Sequence, residues 1–303
     1  MSGDETAAPA ADRDACAGPW LAFAGCSAIL GSTFLVISVG NDALAPVWAS
    51  AVRLVLAAIL LGIWCKLARI PFPRGDALKA AAAYGVFNFG LNFPLLYWGE
   101  KSVPSGLSAV MFSTIPLTTA LLTRALGMER LTPAKLIGAL IALAGVGVLF
   151  SGSFRGEIAP LGLLAVLSAA TIAAIGATLL KRGPQQNPIG ANAAACAIGA
   201  VIALGISFAV REAHVLPLTM PVLFPLLYLT IAGSLGAFVL FAWLIHHWPI
   251  TRATYISVVV PLIALALGTV VRHERLTVLD CAGSAIVIAG LVIGMRGAAK
   301  SGH

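Results

Sequence analysis

The chain has 303 residues, 59% of them hydrophobic and only 10% charged, with a mean hydropathy of +0.97. A soluble domain carries roughly 25% charged and about 45–50% apolar residues, so the composition points to a lipid environment. The formal charge of +7 does not indicate a nucleic-acid partner, because the basic residues stand singly between apolar runs, with no basic stripe and no interleaved aromatics. Five cysteines, Cys16, Cys26, Cys65, Cys196 and Cys281, have neither metal-ligand spacing nor the even count of a disulfide framework. No metal and no cofactor is implied.

Ten apolar stretches follow in order. The acidic tail 1–19 has none of the basic opening of a secretory signal and is expected to be a cytoplasmic extension. The first span is Trp20–Val39, closed by Asn41-Asp42 and Pro46. Val47–Lys66, with Arg53 inside it, is the second. Ala77–Trp98 and Val103–Arg124 are the third and fourth, and Pro133–Phe150 is the fifth. After a polar break come Pro160–Leu180, Ile189–Val210, Pro221–Ile245, Thr251–Val271 and Val278–Met295. Each approaches the roughly 20 residues needed to cross a bilayer core, and the shortest can cross with snorkelling flanks or local thinning. Thr132-Pro133 places a capping hydroxyl before a first-turn proline. Thr277 and Asp280 have capping-box spacing. A short basic tail, 296–303, ends the chain.

One stretch occurs twice at a constant offset. Pro116-Leu117 returns as Pro261-Leu262, Glu129-Arg130-Leu131-Thr132 as Glu274-Arg275-Leu276-Thr277, Gly138 as Gly283, and Ala144-Gly145 as Ala289-Gly290. Four anchors in one register mean an internal duplication, with halves 20–150 and 160–295. Five crossings per half is an odd number, so the second half starts from the opposite side and is an inverted copy. With the N-terminus cytoplasmic, thirteen Lys and Arg residues fall on the inner side and five on the outer side, which places both termini inside. The expected fold is an all-α membrane protein of ten helices, as two inverted five-helix repeats. That is a common plan for secondary carriers.

The pattern of proline in the fourth span, an acidic residue with Arg-Leu-Thr, and glycines in the fifth, present in both halves, resembles the EamA family of the drug/metabolite transporter superfamily. Gly31-Ser32-Thr33-Phe34 in the first span and Arg53 in the second extend the likeness. The resemblance implies ten helices in two inverted five-helix repeats around a central cavity, and a bacterial inner (plasma) membrane carrier, often an exporter of amino acids or other small metabolites. Within the family the chain looks nearest to bacterial amino-acid exporters, those for aromatic amino acids included.

The polar residues are read independently of that likeness. Tyr84, Asn88 and Asn92 recur at intervals of four and share one helical face, and an amide in lipid must find a partner, so this face is expected to look inward. Ser113 and Thr114 precede Pro116, which frees the carbonyl of residue 112. Tyr255 and Ser257 stand in the same relation to Pro261. With Ser32, these residues are the expected cavity lining, and Pro116 and Pro261 the expected paired helix kinks. Tyr97, Trp98 and Trp243 are expected near span ends, as interface anchors by default and as a gate or aromatic wall in the functional reading. Gly233-Ser234 and Gly236 open space near mid-membrane. Arg53, Glu129, Glu274, Gly138 and Gly283 are read as structural, with a pair between Arg53 and Asp42 open.

No Asp or Glu falls at the centre of a span, and the sequence has no phosphate loop, His-Glu-x-x-His or nucleophile elbow, so an enzyme is not expected. The expected partners are a small-molecule substrate and membrane lipids. The expected function is a carrier or facilitator for hydrophobic or aromatic amino acids. Nucleosides, lipophilic drugs or a non-transporting scaffold are the alternatives.

Overall fold

The structure is a computed structural model that describes residues 11–128, 133–153, 159–237, 240, 241, 244 and 256–299. Ten helical spans are found among these residues. They are α1 (Ala11–Asn41), α2 (Pro46–Leu67), α3 (the consecutive pieces Asp76–Tyr84, Gly85–Leu91 and Asn92–Gly99), α4 (Ser105–Phe112 and Ile115–Ala125), α5 (Pro133–Ser153), α6 (Pro160–Arg182), α7 (Pro188–Ala209), α8 (Met220–Tyr228 and Leu229–Gly236), α9 (Ile256–Val271) and α10 (Val278–Ala299). Helix α1 begins at Ala11 and runs through Pro19, so it starts ahead of the apolar span into what the sequence suggested was tail. The spans α1, α2, α4, α6 and α7 meet length and hydropathy criteria for crossing a membrane. Leu143, Val201 and Val270 are 65%, 70% and 72% exposed. In a water-soluble protein an apolar surface of this kind would be a liability, whereas here it faces lipid.

The packing obeys the inverted two-fold relation that the duplication implies. Helix α1 lies against α9 as α6 lies against α4, and α3 packs on α6 and α7 as α8 packs on α1 and α2. The pairs α2–α7, α4–α9 and α5–α10 map onto themselves. In the α5–α10 pair, a methyl group placed on Gly138 would lie 2.5 Å from the Gly290 carbonyl oxygen, and one on Gly145 would lie 2.9 Å from the Gly283 carbonyl oxygen. The glycines at the repeat's fixed offset therefore let two backbones touch, the usual way membrane helices maximise van der Waals contact.

Both halves also share a feature with no evident sequence signature. Over 85–91 in α3 and 229–236 in α8 the helix widens to i→i−5 hydrogen bonding. The Asn92 N–H donates to the Phe87 carbonyl and the Ala237 N–H to the Ala232 carbonyl, one repeat offset apart. Such turns are frequent at functional sites.

The face opposite the chain's termini is tied together across the repeats. Glu274, just before α10, reaches the start of α4. Its Oε1 accepts from the Ser105 N–H at 3.0 Å and the Ser105 hydroxyl at 2.7 Å, and its Oε2 from the Gly106 N–H at 3.4 Å. Glu212, after α7, accepts from the Val47 and Trp48 N–H groups at 3.1 and 2.6 Å at the start of α2. Each carboxylate occupies a helix N-terminus, where unpaired N–H groups and the macrodipole favour an anion. Asp42 pairs with Arg272 through both terminal guanidinium nitrogens, Nη1 and Nη2, so it is not the partner of Arg53. The Thr277–Asp280 capping box is formed, with the Thr277 N–H donating to Asp280 at 2.9 Å and the Asp280 N–H donating back at 3.2 Å. Glu274→Ala is expected to cost about 1–3 kcal/mol, the range for charge-assisted bonds lost at a cap. Thermal unfolding of the purified protein in detergent reads this, with a smaller drop for Glu274→Gln. An unchanged midpoint for the alanine variant would show that the contact carries no load.

Candidate functional site

A cavity of about 310 Å³ lies between the halves at the middle of the bundle, walled by α1, α2, α3, α4, α6, α8 and α9. Its apolar wall includes Phe34, Phe89, Phe93 and Phe112, and its polar lining comprises Thr33, Arg53, Asn88, Asn92, Ser113, Ser234 and Ser257. A few placed polar groups in an apolar hollow is the usual make-up of a small-molecule site.

Four of the expected lining residues meet there: Asn88, Asn92, Ser113 and Ser257. The widened turn of α3 sets the first two. It changes the angular register assumed for a regular α-helix, so Tyr84 does not join them but packs toward α2 and α7, with its ring 5.2 Å from that of Phe89. Ser32 is one helical step away from the cavity. It donates to the Ile29 carbonyl and meets the Tyr228 hydroxyl at 2.6 Å, while its neighbour Thr33 takes the cavity position. Thr114 donates to the Met111 carbonyl at 2.7 Å and faces a separate groove between α4, α5 and α6. Tyr255 and Trp243 lie outside the described residues, as does Glu129.

The expected aromatic gate is arranged differently. Trp98 is 41% exposed on an outer groove with Pro46 and Lys101. Tyr97 is buried, with its hydroxyl 3.1 Å from Arg53 Nη1 and its carbonyl accepting from Asn41 Nδ2 at 2.8 Å. The prolines also differ from their expected symmetry. In α4 the helix breaks at Ser113-Thr114 and restarts at Ile115-Pro116, and the Ser113 hydroxyl bonds back to the Val110 carbonyl at 2.6 Å. Pro261 sits inside the uninterrupted α9. Both prolines remove one helical donor, but only the first coincides with a break.

Arg53 was read as structural, yet it forms part of the cavity wall while being only 5% exposed. Its Nε and Nη2 reach the Ser234 hydroxyl at 3.4 and 3.3 Å, and its Cζ stands 4.8 Å from the centre of the Phe93 ring. Gly233 makes room for it, since a methyl group there would lie 3.2 Å from Nη2. The sequence placed the arginine within a span but could not orient it, because Ser234 and Tyr97 are 181 and 44 residues away along the chain.

Two inverted five-helix halves enclosing one cavity near the bundle's centre define a membrane carrier. The chain matches the EamA-like transporter family over residues 18–151 and 160–295, and it belongs to that family. It is 28% identical over 270 residues to the uncharacterized inner membrane transporter YedA of Escherichia coli (strain K12), with 88% of this chain and 86% of that one covered. It is 27% identical over 281 residues to a probable amino-acid metabolite efflux pump of Salmonella typhimurium, with 89% and 92% covered. A solved crystal structure with 20% identity shares the fold at a TM-score of 0.63, over 95% of this chain and 99% of the other.

Proposed function

We propose that this transporter exports small metabolites, amino acids foremost and hydrophobic or aromatic ones above all, by alternating access, with both termini in the cytoplasm. The observation that carries the substrate reading is the cavity's make-up: amide and hydroxyl groups from Asn88, Asn92, Ser113 and Ser257 set in a wall rich in phenylalanine. Such a site offers hydrogen bonds to a charged backbone end and an apolar surface to a side chain. The likeness to a probable amino-acid metabolite efflux pump supports the same class. The thirteen-to-five distribution of basic residues supports the orientation.

Proteoliposomes loaded separately with labelled phenylalanine, threonine or a nucleoside test the reading, with unlabelled candidates outside and a proton gradient imposed or collapsed. Saturable movement of an amino acid is expected. Asn88→Ala or Ser257→Ala should weaken it several-fold, because a lost hydrogen bond costs about 0.5–1.5 kcal/mol. Movement confined to nucleosides or lipophilic cations would overturn the substrate class and leave the carrier fold standing.

A further inference from the structure

We infer that Arg53 is the anchor for a carboxylate on the transported molecule, and that the carboxylate is the indispensable group of the substrate. This rests on the reading of the central cavity as the substrate site.

The argument starts from an uncompensated charge. A guanidinium cannot shed its proton, and a buried cation is costly unless it is paired. Lys79 pairs with Asp76 and Arg272 with Asp42, whereas Arg53 forms no ion pair among the described residues. Its described partners are two neutral hydroxyls, Tyr97 and Ser234, and the face of Phe93. Ser234 passes its own proton to the Leu229 carbonyl at 3.2 Å, so its lone pairs are left to the arginine. A guanidinium has five N–H groups. Nε and Nη2 share Ser234, and Nη1 uses one N–H on Tyr97. One N–H on each terminal nitrogen therefore has no acceptor among the described residues. Two such N–H groups are what a carboxylate takes in a bidentate bond. Phe93, Tyr97 and Ser234 hold the fork in place beforehand, so a ligand does not bear the cost of ordering it.

A second group in the same cavity points to what else the ligand carries. Asn92 spends its Nδ2 on the Asn88 carbonyl at 3.0 Å. That bond fixes which end of the amide is oxygen. The Oδ1 atom is buried, has no hydrogen-bond partner, and belongs to a residue only 3% exposed. An amide oxygen only accepts, so it suits an ammonium group. Arg53 for the carboxylate, Asn92 for the ammonium and the phenylalanine wall for the side chain together describe an apolar amino-acid zwitterion. The carboxylate contact is the primary one because it answers a full charge.

The test compares four probes on the wild-type carrier in detergent and in proteoliposomes: phenylalanine, 3-phenylpropanoate, phenylalaninamide and phenethylamine. Ligand-induced rise in melting temperature and inhibition of labelled phenylalanine counterflow are the two readouts. Phenylalanine and 3-phenylpropanoate are expected to act in both, and the two probes without a carboxylate to be at least tenfold weaker. Arg53→Gln should lower the apparent affinity for both carboxylates at least tenfold, and Arg53→Lys should recover part of it. Phenylalaninamide matching phenylalanine, no response to either carboxylate, or undiminished phenylalanine counterflow in Arg53→Gln would each overturn the anchor. If Arg53→Gln does not fold, the wild-type probes and Arg53→Lys still decide. Response to 3-phenylpropanoate without response to phenylalanine would support the anchor while refuting the amino-acid reading.

Discussion

Gly290→Ala is expected to destabilise the carrier severely, although the same exchange elsewhere in a helix is harmless. Alanine is the better helix former by about 1 kcal/mol, and at Gly205, where an added methyl group meets nothing within 4 Å, that gain should appear as an equal or higher melting temperature. At Gly290 the methyl carbon would lie 2.6 Å from both the Ala142 nitrogen and the Gly138 carbonyl oxygen. Backbone atoms cannot rotate aside as a side chain can. The α5–α10 pair must separate, and overpacking of this sort costs about 1–3 kcal/mol even where neighbours can yield. Gly290→Val should leave little folded protein. Melting temperature and the monodisperse fraction on gel filtration check both variants. A Gly290→Ala protein as stable as Gly205→Ala would mean that the two helices are not in backbone contact.

The second large effect concerns acidity. Glu100 closes the C-terminal end of α3, is 4% exposed, and has neither carboxylate oxygen hydrogen-bonded. Burial, and then the nearby Glu274 carboxylate, push its carboxyl well above the usual range. The negative end of a helix adds to the disfavour of an anion there. Ser108 of α4, likewise buried, stands beside it, and a bond donated by its hydroxyl offsets only part of that push. The sign follows from proton linkage. Above about pH 4.3, the ordinary glutamate value, the unfolded chain has lost this proton while the folded one keeps it. Stability is therefore fully present on the acid side and falls as pH rises toward the folded value, by up to about 1.4 kcal/mol per pH unit. Glu100→Gln removes that slope. The variant should melt higher than wild type at neutral pH, with the gap closing toward pH 4.5. A gap that does not change with pH would show that Glu100 is ionised in the fold.

The ten spans and the inverted duplication were legible because they rest on composition, period and a fixed offset, all of which are local or self-referential signals. Asn88 and Asn92 were legible as inward-facing because amides are costly in lipid. Tyr84 was grouped with them because a regular helical period was assumed across 85–91, where the chain widens its turn. Glu274 was legible only as a structural residue, because its partner is the start of α4, 169 residues away, and not its own helix. The orientation of Arg53 depends on Ser234 and Tyr97, and the surroundings of Glu100 on Ser108 and Glu274. Each is a tertiary fact, and a single sequence with no pairing signal does not encode it in readable form.

The repeat offset maps Gly138 and Gly145 onto Gly283 and Gly290, so the seam between the halves is the same surface met twice. The cavity breaks that equivalence. Asn88 maps onto Gly233, Asn92 onto Ala237 and Ser234 onto Phe89, and α7, the counterpart of α2, carries no charged residue to match Arg53. A cavity that kept the symmetry of its scaffold would offer a bound molecule two degenerate poses, one upside down relative to the other. With the charge and the amides all supplied by the first half, the degeneracy is lifted. A guest anchored on Arg53, as inferred above, would be held one way up, with its two ends against chemically unlike walls.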